Sequence, residues 1–237
     1  MRTRTVRSKI LRRLATFADV TAQSCHKWYR NQELADRSLG AAKAIHTHMT
    51  TRELHALYDL AANVGRSGTV LEIGSYLGAS SCYLAAALSL LDGHLYCVDT
   101  WENQAMPDGE RDTFREFQRN TAGVAAFITP VRKRSEEITA SDFAQPLDLV
   151  FIDADHSYLS VRGDYERVHE WIIEGGILAF HDCTYFESVS RALGEVLASG
   201  SWQLSGNVDS LVWLRKIGPG FPFPNPMGNK ELPTAAR

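Results

Sequence analysis

The chain has 237 residues, 44% hydrophobic and 22% charged, a balance that suits one globular domain with a full-sized core. A formal net charge of −3 argues against a nucleic-acid partner, because a surface that tracks phosphates needs a basic excess. No apolar stretch is long enough for stable membrane insertion. The four cysteines, Cys25, Cys82, Cys97 and Cys183, follow neither C-x-x-C nor zinc-finger spacing, so reduced thiols in a cytoplasmic protein are expected, with Cys82 and Cys97 in the core.

Positions 1–48 read as a basic helical segment. Arg2, Arg4, Arg7, Lys9, Arg12 and Arg13 all precede the first acid, Asp19, and Ile10, Leu11 and Leu14 offer an apolar stripe. Three readings are open here: an organellar transit peptide, a helix on an anionic membrane surface, or a solvated helix packed on the body or on a second subunit of a homo-oligomer. Thr50-x-x-Glu53 is a capping box that opens a helix through about Val64, with Leu54, Leu57, Tyr58 and Ala61 as its apolar stripe. His46, His48 and His55 precede the first strand without a convergent acidic set and read as surface or helix residues.

Strand-like runs follow at Thr69–Ile73, His94–Val98, Phe127–Val131, Leu147–Ile152 and Ile177–Phe180. Helical patterns fill the gaps at Ala79–Leu91, Thr113–Asn120, Ser160–Trp171 and Ser188–Ala198. Such alternation predicts a doubly wound α/β fold, a parallel sheet with helices on both faces. Trp202–Leu204 and Leu211–Leu214, with Gly206-Asn207 between them, predict a terminal antiparallel hairpin and bring the sheet to seven strands. The folded body is expected over 49–217. Beyond it, over 218–237, Pro219, Pro222, Pro224 and Pro226 among glycines and asparagines predict an extended, poorly ordered tail.

The run Val70-Leu71-Glu72-Ile73-Gly74-Ser75-Tyr76-Leu77-Gly78-Ala79-Ser80 is a strand-to-helix turn whose glycines let backbone approach a ligand closely. Asp99 ends the next apolar run, where a carboxylate accepts two ribose hydroxyls. The pattern is E-x-G-x-x-x-G rather than G-x-G-x-x-G, and the carboxylate at Glu72 suits a cofactor with a cationic amino-acid tail better than a pyrophosphate. On these residues the chain resembles class I S-adenosylmethionine-dependent methyltransferases, and a mostly parallel, Rossmann-like seven-stranded sheet closed by a hairpin is what that resemblance implies. It makes Glu72, Gly74, Ser75, Gly78 and Asp99 the cofactor candidates. Class I enzymes also place adenine contacts just past the third strand, at Ser135 and Glu136 here, where a simple helix cap is the other reading. Trp101 and Met49 read either as pocket lining or as core.

Two further segments, Phe151-Ile152-Asp153-Ala154-Asp155-His156-Ser157-Tyr158 and Ala179-Phe180-His181-Asp182-Cys183, end at strand tips that face one cleft. Acids and imidazoles crowded there need compensation, and a divalent cation is the economical form of it. Oxygen ligands from Asp153 and Asp182, with His181, favour Mg²⁺ or Mn²⁺. Asp155 reads either as a cofactor contact or as a cap of the next helix, and His181 either as a ligand or as a satisfied strand-end histidine.

These two segments resemble the metal-dependent O-methyltransferases of the catechol and caffeoyl-CoA type, and, with Val98-Asp99-Thr100-Trp101, a bacterial branch that modifies sugars and natural products. The resemblance spans roughly Met49 to Arg215. It implies Asp153 as first metal ligand, with His181 and Asp182 at the positions of an Asp-Asn pair, and it puts the catalytic base at His156, where those families carry a lysine. It thus implies a magnesium-assisted O-methyltransferase acting on a small-molecule hydroxyl acceptor, a sugar or a natural product. A metal-free N- or O-methyltransferase, a non-catalytic cofactor-binding partner subunit and a nucleotide-dependent oxidoreductase are the alternatives.

Overall fold

The computed structural model describes residues 41–103, 109–144 and 146–218, and residue 32. The basic segment before residue 41 and the tail after 218 therefore lie outside the described residues, apart from position 32. Seven strands make one sheet: β1 (Thr69–Ile73), β2 (His94–Asp99), β3 (Ile128–Arg132), β4 (Leu147–Ile152), β5 (Ile172–Phe180), β6 (Trp202–Val208) and β7 (Leu211–Lys216). Their order is β3-β2-β1-β4-β5-β7-β6. β1 to β5 pair in parallel, and β7 runs antiparallel to both β5 and β6.

Among the described residues five α-helices accompany the sheet: α1 (Thr51–Ala62), α2 (Ala79–Leu88), α3 (Phe114–Asn120), α4 (Tyr158–Val168) and α5 (Glu187–Ala198). Side chains alternate across each strand, so Val70, Leu149 and Phe151 join α1 and α2 in one core layer. Leu71, Val150 and Ile152 point the other way and pack with α4 and α5. Both faces are buried, which is why β1 and β4 read as continuous apolar runs rather than alternating ones. α2 is buried along its whole length, and its first turn starts at the glycine-rich segment. Among the described residues no helix is long and apolar enough to cross a membrane.

Two elements differ from the sequence expectation. β5 begins at Ile172, not Ile177, because Leu147 pairs with Ile172 before the register shifts to Leu149 and Ile177. The irregularity carries the Gly175-Gly176 pair, with Gly175 at φ 79°, so these glycines form a bulge within the strand. The hairpin turn is also displaced: β6 continues through Gly206-Asn207, and the chain reverses at Asp209-Ser210 between the paired Val208 and Leu211. Gly206 is in the strand because the Trp213 ring occupies the space a Cβ would need, and Asp209 supplies the left-handed turn residue at φ 50°.

Cys82 and Cys97 lie in the α1–α2 layer and Cys183 in the other, all buried and free. Burial pushes the Cys82 and Cys183 thiols up to about 12 and the Cys97 thiol well above its ordinary value.

Candidate functional site

The sheet reverses its winding between β1 and β4, and two cavities open at the carboxyl ends of these strands, where ligands of open α/β sheets bind. The first, of about 220 Å³, is lined among others by Gly74, Asp99, Ser135, Glu136, Asp155, Ser160 and Asp164. The second, of about 490 Å³, is lined among others by His46, His48, Met49, Ser75, His156, His181, Asp182, Tyr185 and Phe186. Gly74, Tyr76, Asp153 and Ala154 belong to both walls.

Gly74 has φ 87°, and the backbone of Asp153 fills the place of its Cβ. Only glycine lets β1 and β4 close to that distance. The turn above it is held by Asp99, whose Oδ2 accepts from the Ser75 and Tyr76 amides at 2.8 and 2.9 Å and whose Oδ1 accepts from the Trp101 amide at 2.6 Å. Asp99 thus ties the β1 turn to the loop after β2 while lining the first cavity.

Glu72 is placed differently from its expected role. It is fully buried and on neither cavity wall, its Oε2 accepting from Ser75 Oγ at 2.8 Å, Ser81 Oγ at 2.5 Å and Cys97 Sγ at 3.3 Å. Burial raises its pKa against the hydrogen bonds from Ser80, Ser81, Ser75 and Cys97. The carboxyl group props the turn from beneath. Gly78, at φ 89°, is likewise a packing residue, since a Cβ there would meet Thr121 at 2.6 Å and Phe117 at 3.0 Å. Trp101 is core, 1% exposed against Phe114 and Phe117, whereas Met49 is buried yet reaches the second cavity.

At the far side of the first cavity, Ser135 and Glu136 form one turn of 3₁₀ helix. Asp155 accepts from the Ser157 amide at 3.1 Å and from the Ser157 and Ser160 hydroxyls at 2.8 Å, so it braces the start of α4 and lines the cavity at once. Asp164, one helical turn beyond Ser160, carries no motif in the sequence that marks it as a site residue. It is 3% exposed on the cavity wall, and burial pushes its pKa up to about 6 against a hydrogen bond from Ser135. The available signal was an acid set at i+3 from Val161 and i−4 from Val168, within the buried stripe of its own helix.

In the second cavity Asp153, His156, His181 and Asp182 converge. His156 Nε2 lies 2.9 Å from Asp182 Oδ2 and 3.9 Å from Asp153 Oδ1, and its ring stacks on Phe186 at 4.3 Å. His181 Nδ1 lies 3.2 Å from Asp153 Oδ1 and 3.4 Å from Asp182 Oδ1. Asp182 adopts φ 59°, a left-handed conformation at the strand end that aims its carboxylate back into the cluster. The hydrogen bonds to Asp153 and Asp182 raise His156 to about 9 against its burial. Burial alone would push His181 down, but the same two carboxylates hold it at about 11. Burial likewise opposes the outcome at Asp153 and Asp182, whose pKa values the two imidazoles bring below the usual carboxylate range.

Asp153, His181 and Asp182 each offer one ligand atom, all within 4.8 Å of one another. Two carboxylate oxygens and one imidazole nitrogen form a donor set that suits a hard or borderline divalent ion such as Mg²⁺ or Mn²⁺. Two residues that no sequence motif connects with this site complete its surroundings. Glu53, the acid of the capping box, and Ser210, in the hairpin turn, both approach His181 Nε2, at 3.3 and 3.2 Å.

Residues 71–183 match the sequence model of a family described as "Methyltransferase domain". Among solved structures, the chain is similar to the O-methyltransferase NovP, at 15% identity over 73% of this chain and 82% of that one, TM-score 0.59. It is also similar to the O-methyltransferase TomG from Streptomyces achromogenes, involved in tomaymycin synthesis and solved in complex with S-adenosylmethionine, at 19% identity over 72% and 82%, TM-score 0.57. A third is CalS11, a TDP-rhamnose 3'-O-methyltransferase of calicheamicin biosynthesis, at 18% identity over 69% and 77%, TM-score 0.51. At such identities the likeness establishes the shared fold. The family match over residues 71–183 spans the glycine turn, the β4 tip and the β5 tip, and together with the shared fold it supports an enzyme with a methyltransferase domain of the class I, S-adenosylmethionine-dependent kind.

Proposed function

We propose that the protein is an O-methyltransferase that holds S-adenosylmethionine in the first cavity and a small hydroxylated acceptor, a sugar or a natural product, in the second. The observation that carries this reading is the wall common to both cavities, Gly74, Tyr76, Asp153 and Ala154, across which a methyl group passes over a short distance. Asp99 offers acceptors to the ribose, and Ser135, Asp155 and Asp164 offer polar groups to the adenine end. The names of NovP, TomG and CalS11 support oxygen as the methylated atom and a natural product or sugar as the acceptor class.

Asp153, His181 and Asp182 would hold a divalent cation, which when bound supplies Lewis-acid polarisation of the acceptor hydroxyl and lowers its pKa. His156 takes the hydroxyl proton on Nε2. Asp153 and Asp182 keep that nitrogen protonated up to about pH 9, so His156 serves as base only when the two carboxylates are engaged as ligands. Phe186 fixes the plane of the imidazole meanwhile. A metal-free methyltransferase is the second reading, favoured by the pairing of both carboxylates with imidazoles in this structure. Chelation separates the two: EDTA is expected to abolish turnover and Mg²⁺ or Mn²⁺ to restore it. Full activity in EDTA with no metal on the purified protein would establish the metal-free reading.

A further inference from the structure

Glu53 enters the chain as half of a helix cap, and one of its oxygens serves the cap alone, Oε2 accepting from the Thr50 amide at 2.7 Å. The second oxygen faces the site. Oε1 accepts from the Ser210 amide at 2.8 Å and the Ser210 hydroxyl at 2.7 Å, and lies 3.3 Å from His181 Nε2. The side chains of Glu53 and His181 are each only 2% exposed, so water does not compete for these contacts. Ser210 Oγ closes the triangle at 3.2 Å from the same imidazole nitrogen.

A buried carboxylate against one ring nitrogen decides which nitrogen carries the hydrogen and which way the ring faces. With a cation between His181 and the two carboxylates the ring is neutral and its one hydrogen belongs on Nε2, toward Glu53, which leaves Nδ1 directed at Asp153 and Asp182 as a lone pair. We propose that Glu53, braced by Ser210, is a positioning residue that presents the His181 Nδ1 lone pair to a divalent cation. This rests on the reading of Asp153, His181 and Asp182 as a cation site. The arrangement spans the molecule: the start of α1, the end of β5 and the β6–β7 turn meet at one imidazole.

The test is calorimetric titration of the full chain with Mn²⁺, with S-adenosylmethionine affinity and thermal unfolding measured in parallel. Glu53→Gln is expected to weaken Mn²⁺ binding by about 10- to 100-fold, the usual cost of losing a partner behind a metal-ligating histidine, with cofactor affinity unchanged. Ser210→Ala alters no charge and is expected to weaken Mn²⁺ binding by about 3- to 10-fold, on the scale of one lost hydrogen bond. It also serves if Glu53→Gln does not fold. Thr50→Ala removes the cap hydroxyl and its 2.9 Å hydrogen bond to Asp209 but leaves the contacts of Glu53 Oε1 with Ser210 and His181 in place, so it is expected to lower the unfolding temperature and leave Mn²⁺ affinity intact. Unchanged Mn²⁺ affinity in Glu53→Gln overturns the proposal. So does a loss in Thr50→Ala equal to that in Glu53→Gln, or a loss absent from Ser210→Ala, which would assign the effect to charge alone. A wild-type protein that takes up no Mn²⁺ overturns the cation site itself, and this inference with it.

Discussion

Asp164 is an acid on the wall of the first cavity whose ionisation costs the fold energy. Its pKa rises from 3.8 to about 6 on folding, with burial as the main cause. A raised acid destabilises the folded state when ionised, so the penalty is absent below about pH 4, grows between about pH 4 and 6 and stays constant above. Two units correspond to about 2–3 kcal/mol at most. Asp164→Asn is therefore expected to be more stable than wild type at about pH 8 by up to about 2 kcal/mol and equal to it at about pH 4, read from urea unfolding at both values. A difference that is the same at both would locate the effect in packing. At the neighbouring cavity, His156→Ala is expected to lower kcat by about 10²-fold or more while leaving S-adenosylmethionine affinity near wild type. Near-normal kcat in the folded variant would remove His156 as base and leave His181 as the next candidate.

At the scale of elements, the β1–α2 turn depends on one missing side chain. Gly74→Ala adds a methyl where Asp153 backbone already lies and asks alanine to adopt φ 87°. Left-handed strain and overpacking together are expected to cost about 3 kcal/mol or more and to abolish cofactor binding, because β1 and β4 carry both cavities. Thermal unfolding and calorimetry check this, and a stable, cofactor-binding variant would contradict the close approach. This turn was legible in the sequence because a strand end, a glycine and an acid occur within a few residues. The β4 and β5 tips were legible because an apolar run ends abruptly in acids and an imidazole, Asp153-Ala154-Asp155-His156 and His181-Asp182. Glu53 was legible only as a cap, since its contact with Ser210 spans 157 residues of chain and depends on β7 pairing with β5. The orientation of Glu72, down into the core rather than toward a ligand, follows from Ser75, Ser81 and Cys97 closing around it, and residue type alone carries no such direction. The displaced hairpin turn has a similar origin: Gly206-Asn207 has turn chemistry, but the packing of Trp213 over Gly206 prevails.

For the whole molecule, the sheet separates two core layers, and both cavities open along their common upper edge. The buried thiols are distributed over those same layers, Cys82 and Cys97 on one side and Cys183 on the other. A buried thiol kept protonated reacts with an alkylating reagent only during the moments when its layer opens. Each layer therefore carries its own clock, and peptide-resolved mass spectrometry of iodoacetamide labelling can read the two independently. Cys82, Cys97 and Cys183 are expected to label slowly in native buffer and fully in urea. With S-adenosylmethionine bound in the first cavity, as proposed, Cys97, which underlies the β1 turn through Glu72, is expected to slow more than Cys183 if the layers open separately. Equal slowing at all three would mean that the protein breathes only by unfolding as one unit.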